Sequence, residues 1–272
     1  MSASLAAELQ ACIAGLAPQD RPLVIALSGG VDSAVVAQAA ALSGRVVIAA
    51  TARGPSVSAV EQQDAQRLAE AIGLEHHWIE PGEVQSAAYQ RNDARRCYYC
   101  KSHLYASLTA RYPEHLVLSG TNHDDLGDYR PGLQAAREAD VRAPLAELGL
   151  GKAAVRELAA HWQLAVADKP ASPCLASRIA FGVPVTAERL RQVEQAEQWL
   201  RTAGWREFRV RVHADELARV ELPADALAEL VSSGQHQALV EHFKRIGFRF
   251  VTLDLEGFRS GSLNPVYSIA PR

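Results

Sequence analysis

The segment Ser28-Gly-Gly-Val-Asp-Ser33 is the part of the sequence best suited to binding an anion. It lies between a short apolar run at 23–27 and an alanine-rich stretch at 34–42, an order that predicts a strand, a glycine loop and a helix. Glycines allow successive backbone N–H groups to turn inward, and the following helix adds the positive end of its dipole. These features predict a phosphate-binding loop, although neither the Walker A spacing nor G-x-G-x-x-G is present, and the alternative is an ordinary strand-turn-helix that binds no ligand.

Four cysteines form a second set of residues able to do chemistry, namely Cys12, Cys97, Cys100 and Cys174. Cys12 falls on the apolar face of a predicted helix at 3–16, which makes it a core residue. Cys97 and Cys100 would share one face of a helix, and such a C-x-x-C pair in a cytosolic chain indicates metal or redox chemistry. The residues alone allow a zinc site with His103 and Cys174, a redox disulfide, or buried structural thiols.

Polar residues are concentrated after the predicted strand at 116–119. Ligands of open α/β sheets bind beyond the carboxyl ends of the strands, so these side chains are expected near a bound nucleotide, with a solvated acidic loop as the alternative. They are Asn122, Asp124, Asp125, Asp128 and Arg130. The whole region 121–150 is rich in Asp, Gly, Pro and Arg and is predicted to be loop.

Several cations can meet phosphate groups. Lys101 and Lys169 can neutralise the charge of a leaving phosphate. Arg178, beside Ser177 at a predicted loop position, can bind a substrate or AMP phosphate, or form only a surface ion pair.

Arg209 and Arg211 lie two residues apart on a predicted strand at 208–213. The spacing places both side chains on one face of the strand. They can grip the phosphate of a mononucleotide, and the alternative is a solvated strand face.

The elements that must position these residues alternate between strand and helix. Strands are predicted at 23–27, 45–51, 76–79 and 116–119, and a capping box formed by Ser58 and Glu61 begins a helix that ends near 72. This order predicts an α/β fold, a parallel sheet with helices on both faces, over residues 1–183. Residues 184–272 are predicted to form a smaller C-terminal α+β domain, with a helix at 186–203 and strands at 208–213, 217–222 and 250–255.

The composition of the chain bears on its partners and its location in the cell. The chain has 272 residues, a formal net charge of −3, 48% hydrophobic residues and 22% charged residues. The charge argues against a broad nucleic-acid surface, so a nucleic-acid partner is not expected. The first basic residue is Arg21 and no apolar run approaches a membrane span, so we expect a cytoplasmic protein with no membrane partner.

The glycine loop resembles the S-G-G-x-D-S loop of the ATP pyrophosphatase, or PP-loop, superfamily. Four more segments resemble one branch of it: 97–101 (Cys-Tyr-Tyr-Cys-Lys), 120–132, 169–178 (Lys-Pro-Ala-Ser-Pro-Cys-Leu-Ala-Ser-Arg) and 257–262. That branch is the LarE-type sulfur transferases, which build the nickel-pincer nucleotide cofactor of lactate racemase. The resemblance covers nearly the whole chain and keeps the order of the motifs.

The resemblance implies an enzyme that uses ATP and Mg²⁺ to adenylate a carboxylate of pyridinium-3,5-biscarboxylic acid mononucleotide. Pyrophosphate leaves, and a sulfur nucleophile then displaces AMP to give a thiocarboxylate. The order is chemically sensible, because a carboxylate oxygen leaves poorly until it is part of AMP, and a thiolate is a natural attacking group. The resemblance also implies a homo-oligomer and a small-molecule nucleotide substrate, and it leaves the replenishing sulfur source open.

Individual roles follow from the same resemblance. It implies nucleotide binding by Ser28, Gly29, Gly30, Val31, Asp32, Ser33, Thr51, Gly120, Thr121, Asn122 and Asp125. It implies catalytic roles for Asp32, Cys174, Ser177 and Arg178, with Asp32 as the carboxylate associated with Mg²⁺. It implies a pocket for the substrate phosphate made of Glu197, Arg209 and Arg211.

The cysteines separate two subgroups of this family. In one, the cysteine at the position of Cys174 gives up its own sulfur, becomes dehydroalanine and acts once. This chain departs from that pattern, because Cys97 and Cys100 accompany Cys174 and resemble a second subgroup. There, three thiolates hold a 4Fe–4S cluster whose open iron carries the transferable sulfide. We favour the cluster, with a sacrificial Cys174 as the alternative.

Three other functions fit the sequence less well. A tRNA thiolase of the same superfamily would need an RNA-binding surface, and neither a motif nor the net charge indicates one. An amidating ligase would need a source of ammonia. A nucleotide-binding sensor without catalysis would not need Asp32, Cys174 and the Cys97–Cys100 pair together.

Overall fold

The computed structural model describes residues 2–18, 20–127, 130–170 and 172–259. Its helices and strands are, in chain order, α1 (Ser2–Gly15), β1 (Leu23–Ala26), α2 (Val31–Ala41), β2 (Val47–Ala52), α3 (Ala59–Ile72), β3 (Glu75–Ile79), α4 (Ala87–Gln90), α5 (Arg96–Arg111), β4 (Leu116–Leu118), α6 (Pro131–Glu138), α7 (Pro144–Glu147), α8 (Lys152–His161), α9 (Ala187–Thr202), β5 (Arg209–His213), β6 (Leu217–Glu221), α10 (Ala224–Ser232), α11 (Gln235–Arg245) and β7 (Phe250–Leu253). Short 3₁₀ helices cover Glu83–Gln85, Asp124–Gly127, Leu175–Arg178 and Ala214–Glu216. None of the helices in these ranges has the length and apolarity needed to span a bilayer.

The chain forms two compact units. The first contains the described residues up to Tyr89 together with Ala94–Ser172, and the second contains Gln90–Asp93 and the described residues from Pro173 onward. A domain boundary after residue 183 stays a prediction, because compact packing and independent folding are different properties.

The first unit contains a parallel sheet in the order β3-β2-β1-β4. Leu23 is paired with Val47 on one side and with Leu116 on the other. Successive residues of β1 face opposite sides of the sheet, so Leu23 and Ile25 pack with α1, α2 and α8, while Val24 packs with α5 and α6. The predicted α/β fold with helices on both faces is confirmed.

Local signals set the ends of α3 as predicted. The Ser58 hydroxyl accepts a hydrogen bond from the Glu61 N–H at 3.3 Å, which satisfies one of the open donors at the start of the helix. Gly73 ends the helix in the left-handed conformation at φ 83°. The Glu61 side chain does not complete a capping box, since its carboxylate contacts Lys169 instead.

The prediction that 121–150 is loop was wrong. This region contains the 3₁₀ helix Asp124–Gly127 and the helices α6 and α7. Both helices begin at a proline, which suits the first turn because its missing N–H has no partner there. Ala135 and Ala136 are buried against the α5 side of the sheet, so tertiary packing stabilises a helix too short to be stable alone.

The second unit contains a three-stranded sheet in the order β5-β6-β7, antiparallel between β5 and β6 and parallel between β6 and β7. Thr186 caps α9 by accepting from the Arg189 N–H at 3.2 Å. Leu190, Val193, Val210 and Val220 are buried in its core. The smaller C-terminal α+β region is therefore confirmed, and its helices α10 and α11 are separated by Gly234 at φ 76°.

Candidate active site

The loop between β1 and α2 has the shape of an anion cradle. Gly29 adopts φ 76°, a value that favours glycine, and Gly30 is the N-terminal cap of α2. The Ser33 hydroxyl accepts from the Ser28 N–H at 3.1 Å and donates to the Gly30 carbonyl at 3.0 Å. The loop is thus closed on itself by Ser33, with Val31 as the first residue of an 11-residue helix.

Asp32 lies in the first turn of α2 and is held from two sides. Its Oδ1 accepts from the Asn122 amide at 3.0 Å, and its Oδ2 lies 2.6 Å from the Lys152 Nζ. A carboxylate has further lone pairs, so a hard cation such as Mg²⁺ can bind the same oxygens. A carboxylate, an amide and an ammonium group therefore meet at the start of α2.

Lys152 was missed by the sequence reasoning. It is the first residue of α8, and its backbone N–H donates to the Asp124 carboxylate at 2.7 Å. A Cβ on Gly151 would lie 2.6 Å from the Asp124 Oδ1, so a larger residue at 151 would displace the Asp124 side chain. A lysine at a helix N-terminus opposes the helix dipole, and this local cost was a signal that could have pointed to Lys152.

Residues after β4 approach the glycine loop closely. A Cβ on Gly120 would lie 2.5 Å from the Ser33 nitrogen, so only glycine permits this contact. Thr121 accepts from the Ser119 hydroxyl at 3.3 Å. The Asn122 N–H donates to the Asp125 carboxylate at 3.1 Å, and Asp125 also forms an ion pair with Arg130 at 2.7 Å.

The remaining predicted residues of this unit lie in different surroundings. Thr51 is buried, with its hydroxyl 2.9 Å from the His76 Nε2. The Lys169 Nζ contacts the Gly29 carbonyl, Glu61 and Asp64 rather than open solvent. Lys101 lies in α5 with its Nζ 5.9 Å from the centre of the Tyr105 ring. Asp128 lies outside the described residues.

Cys97 and Cys100 lie in the first turns of α5. Cys97 is exposed and Cys100 is half-buried. A separation of three residues in a helix places both side chains on one face, as the sequence predicted. The Arg95 guanidinium lies over the Tyr98 ring at 4.6 Å, so the start of this helix is both basic and aromatic.

Cys174 lies in the second unit, where it is the N-terminal cap residue of the 3₁₀ helix Leu175–Arg178 and is exposed. Arg178 is buried and organises this segment. Its guanidinium donates to the Pro173 carbonyl, to the Cys174 carbonyl at 3.2 Å and to the Ser177 hydroxyl at 3.0 Å. The opposite edge of the guanidinium binds the Glu197 carboxylate at 3.0 and 3.2 Å. Arg178 thus makes protein contacts that shape the segment around Cys174.

A second buried ion pair lies beside this one. Arg211 donates to both oxygens of Glu221 at 3.0 and 2.9 Å and to the Ser177 carbonyl at 3.2 Å. Glu221, completely buried on the adjacent strand β6, was not identified from the sequence. The hydrogen-bonding pattern of two strands was needed to place it opposite an arginine.

Arg209 differs from its neighbours. Within the described part of the chain its guanidinium donates to the Phe208 carbonyl at 2.7 Å, lies 5.1 Å from the Phe258 ring and makes no ion pair. Burial, followed by the positive charge of Arg178, lowers the pKa of Arg209. Since an arginine stays charged in proteins, this half-buried cation is suited to an anionic ligand. The motif at 257–262 continues into residues 260–262, which lie outside the described residues.

Comparisons with known proteins agree with this geometry. A sequence model of the asparagine synthase family matches residues 4–97, the part that contains the glycine loop. The structure of NMN synthetase from Francisella tularensis superposes with a TM-score of 0.52 at 25% identity, covering 63% of this chain and 76% of that chain. The fold and the loop therefore define an ATP-using enzyme of the PP-loop class.

Full-length relatives give a narrower family. The chain is 34% identical over 267 residues to the pyridinium-3,5-bisthiocarboxylic acid mononucleotide synthase of Lactiplantibacillus plantarum, covering 96% of this chain and 95% of that protein. It is 44% identical over 251 residues to an uncharacterised protein of Synechocystis, covering 91% and 93%. The chain belongs to the LarE-type ATP-dependent sulfurtransferases, the family of that synthase.

Proposed function

We propose that the protein converts pyridinium-3,5-biscarboxylic acid mononucleotide to its thiocarboxylate for synthesis of a nickel-pincer cofactor. A carboxylate oxygen of the acceptor attacks the α-phosphorus of ATP, and pyrophosphate leaves. A sulfur nucleophile then attacks the carboxyl carbon, and AMP leaves with the original oxygen. The observation that carries this proposal is the meeting of Asp32, Asn122 and Lys152 at the glycine loop of a LarE-type chain.

The first unit supports the adenylation step. The glycine loop and the N-terminus of α2 supply backbone donors for the β- and γ-phosphates. Asp32 would hold Mg²⁺, which neutralises phosphate charge and makes pyrophosphate a better leaving group. Lys152, now paired with Asp32, is a cation that the arriving phosphates also attract.

The second unit supports binding of the acceptor. Two buried ion pairs, Arg178 with Glu197 and Arg211 with Glu221, satisfy their own charges. Arg209 is left to bind the acceptor's phosphate, the most anionic group of a mononucleotide. This refines the pocket predicted from Glu197, Arg209 and Arg211, because Glu197 and Arg211 would act mainly by positioning their neighbours.

The group that supplies the transferred sulfur is a separate part of the proposal. In the described residues no three His, Cys, Asp or Glu side chains are grouped to hold a metal ion. The donor chemistry nevertheless suits a 4Fe–4S cluster, because Cys97 and Cys100 share a helix face and Cys174 presents an exposed thiol in the second unit. When bound through three thiolates, such a cluster would supply an open iron able to hold a sulfide.

The alternative sulfur route uses Cys174 itself. Its thiolate would attack the adenylated carboxyl carbon and expel AMP to form a thioester. Elimination across the Cα–Cβ bond of Cys174 would then release the thiocarboxylate and leave dehydroalanine. The cluster route preserves Cys174 and allows repeated turnover, whereas this route ends after one.

One experiment tests the function and separates the two routes. Protein purified without oxygen is analysed for iron, sulfide and zinc, then incubated with ATP, Mg²⁺ and the biscarboxylate nucleotide, with intact mass measured before and after. We expect AMP, pyrophosphate and thiocarboxylate, with iron and sulfide present and the protein mass unchanged. A mass loss equal to H₂S would assign the sulfur to Cys174, and ADP with inorganic phosphate would reject adenylation.

Matched variants sharpen the result. Cys174→Ala should abolish thiocarboxylate formation and leave ATP binding intact, since Cys174 lies outside the unit that holds the glycine loop. Cys12→Ala is the control, because Cys12 lies in α1 and belongs to neither route.

Cytoplasmic location and homo-oligomeric assembly remain part of the proposal. A cytoplasmic location is proposed because the reducing conditions there keep thiolates available.

A further inference from the structure

Lys169 makes three contacts that the adenylation chemistry does not use. Its Nζ lies 3.0 Å from the Gly29 carbonyl, 3.0 Å from the Glu61 Oε2 and 2.9 Å from the Asp64 Oδ2. A lysine ammonium group has three N–H donors, so these contacts account for all of them. Lys169 is therefore occupied by protein groups and is not placed as a phosphate ligand, the role that its charge alone suggested.

The surroundings hold this ammonium group in one place. Glu61 and Asp64 are three residues apart in the first turns of α3 and so share a face of the helix. The glycine loop packs against the same turns, since a Cβ on Gly29 would lie 3.2 Å from the Glu61 carbonyl. The backbone before Lys169 is held by Arg156 of α8, which donates to the Ala167 carbonyl at 2.9 Å.

We propose that Lys169 is a positioning residue that sets the orientation of the Gly29–Gly30 peptide and thereby aims the anion cradle. A trans peptide points its carbonyl and its N–H in opposite directions. Anchoring the Gly29 carbonyl to Lys169 therefore holds the Gly30 N–H on the opposite side of the peptide, away from Lys169. This inference rests on the ATP site proposed above.

Helix α8 joins both sides of the cradle. Its first residue, Lys152, contacts Asp32, and Arg156, one turn later, holds the segment that ends in Lys169. The two lysines therefore have different roles, although both are near the loop. Lys152 contacts the Asp32 carboxylate, the proposed Mg²⁺ ligand, whereas Lys169 holds the backbone of the loop from the α3 side.

Calorimetric titration of ATP tests the assignment with Lys169→Met, Lys169→Arg and the double variant Glu61→Gln/Asp64→Asn. Lys169→Met should weaken ATP binding roughly 10- to 100-fold, the effect of losing a charge-assisted hydrogen bond that orders the loop. Lys169→Arg should recover part of the affinity. The double variant should also weaken ATP binding. Combining it with Lys169→Met gives a triple variant that should bind ATP no worse than Lys169→Met alone, because all three substitutions disrupt the same anchoring of Lys169.

If Lys169 instead binds phosphate directly, the Glu61→Gln/Asp64→Asn variant should bind ATP more tightly than the wild type, because its ammonium group would be released from the two carboxylates. Arg67→Met is the matched control, because the exposed Arg67 pairs with Asp64 without touching the loop. The Arg67→Met variant should bind ATP with the affinity of the wild type. The Gly30 amide resonance, recorded without ATP, should move in Lys169→Met. An unmoved resonance overturns the positioning role, whereas absence of ATP binding by the wild type overturns only the proposed function.

Discussion

In the proposed adenylation step, Lys152 is the cation paired with Asp32. Replacing it with methionine keeps the length of the side chain and removes the cation that lies 2.6 Å from Asp32. We expect the rate of AMP formation to fall about 10²- to 10³-fold, the scale of losing one preorganised charge partner. Quantifying AMP and pyrophosphate measures this effect. Lys244→Met in the second unit is the control, and an unchanged rate in Lys152→Met would contradict the role.

Arg209 makes a separate prediction for the acceptor. Arg209→Gln should raise KM for the acceptor nucleotide roughly 10- to 100-fold, because a charge-assisted phosphate contact is lost. The dissociation constant for ATP should not change, since the glycine loop lies in the other unit. Steady-state kinetics with varied acceptor provide the measurement, and the exposed Arg206→Gln serves as the control. A shift in ATP affinity alone would argue against the assignment.

At the scale of elements, the site depends on how closely β4 approaches the glycine loop. A methyl group at Gly120 would lie 2.5 Å from the Ser33 nitrogen, and this neighbour is backbone, which cannot move aside without displacing the start of α2. Gly120→Ala should therefore abolish ATP binding while leaving a cooperative unfolding transition. Titration calorimetry and urea unfolding together separate the two effects.

Gly127→Ala is a matched control for that variant. Gly127 ends the 3₁₀ helix that follows Gly120, and an added methyl group would meet nothing within 4 Å. It should bind ATP as the wild type does. Equal loss of ATP binding in both variants would mean that the loop after β4 does not tolerate alanine at either position, and that the close contact with Ser33 is not the specific cause.

At the scale of the whole molecule, the ion pair between Lys169 and Asp64 makes stability depend on pH. Burial raises the pKa of Asp64, but the hydrogen bonds from Lys169 and Arg67 outweigh it and leave the pKa lowered. Burial likewise opposes the charge of Lys169, and its bonds to Asp64 and Glu61 leave the pKa of Lys169 raised. The stabilisation from Asp64 is thus lost as pH falls through its folded pKa, and that from Lys169 is lost as pH rises through its folded pKa.

The directions of these two pKa shifts predict how the stability difference between the wild type and Lys169→Met changes with pH. The difference in the free energy of unfolding should be largest near neutral pH and should shrink below about pH 4 and above about pH 10.5. Urea unfolding at pH 3, 7 and 11 measures it. A difference that does not change with pH would show that the ion pairs of Lys169 contribute nothing to stability.

Much of the first unit could be predicted because its signals are local. The apolar run before Ser28, the glycines of the loop and the cap at Ser58 each act within a few residues. The same was true of the face shared by Cys97 and Cys100, which depends only on the period of a helix. The region 121–150 failed because its short helices are stabilised by packing rather than by their own sequence.

The sequence by itself determined the kind of chemistry, because a glycine loop after a buried strand and three cysteines in family motifs are visible without a fold. Tertiary structure decided which side chains act together. Lys152 meets Asp32 across 120 residues, and Lys169 meets Gly29 across 140. Glu221 faces Arg211 through strand pairing. Such contacts depend on how strands and helices are arranged in space, and a local signal such as the lysine at the start of α8 does not identify the partner residue.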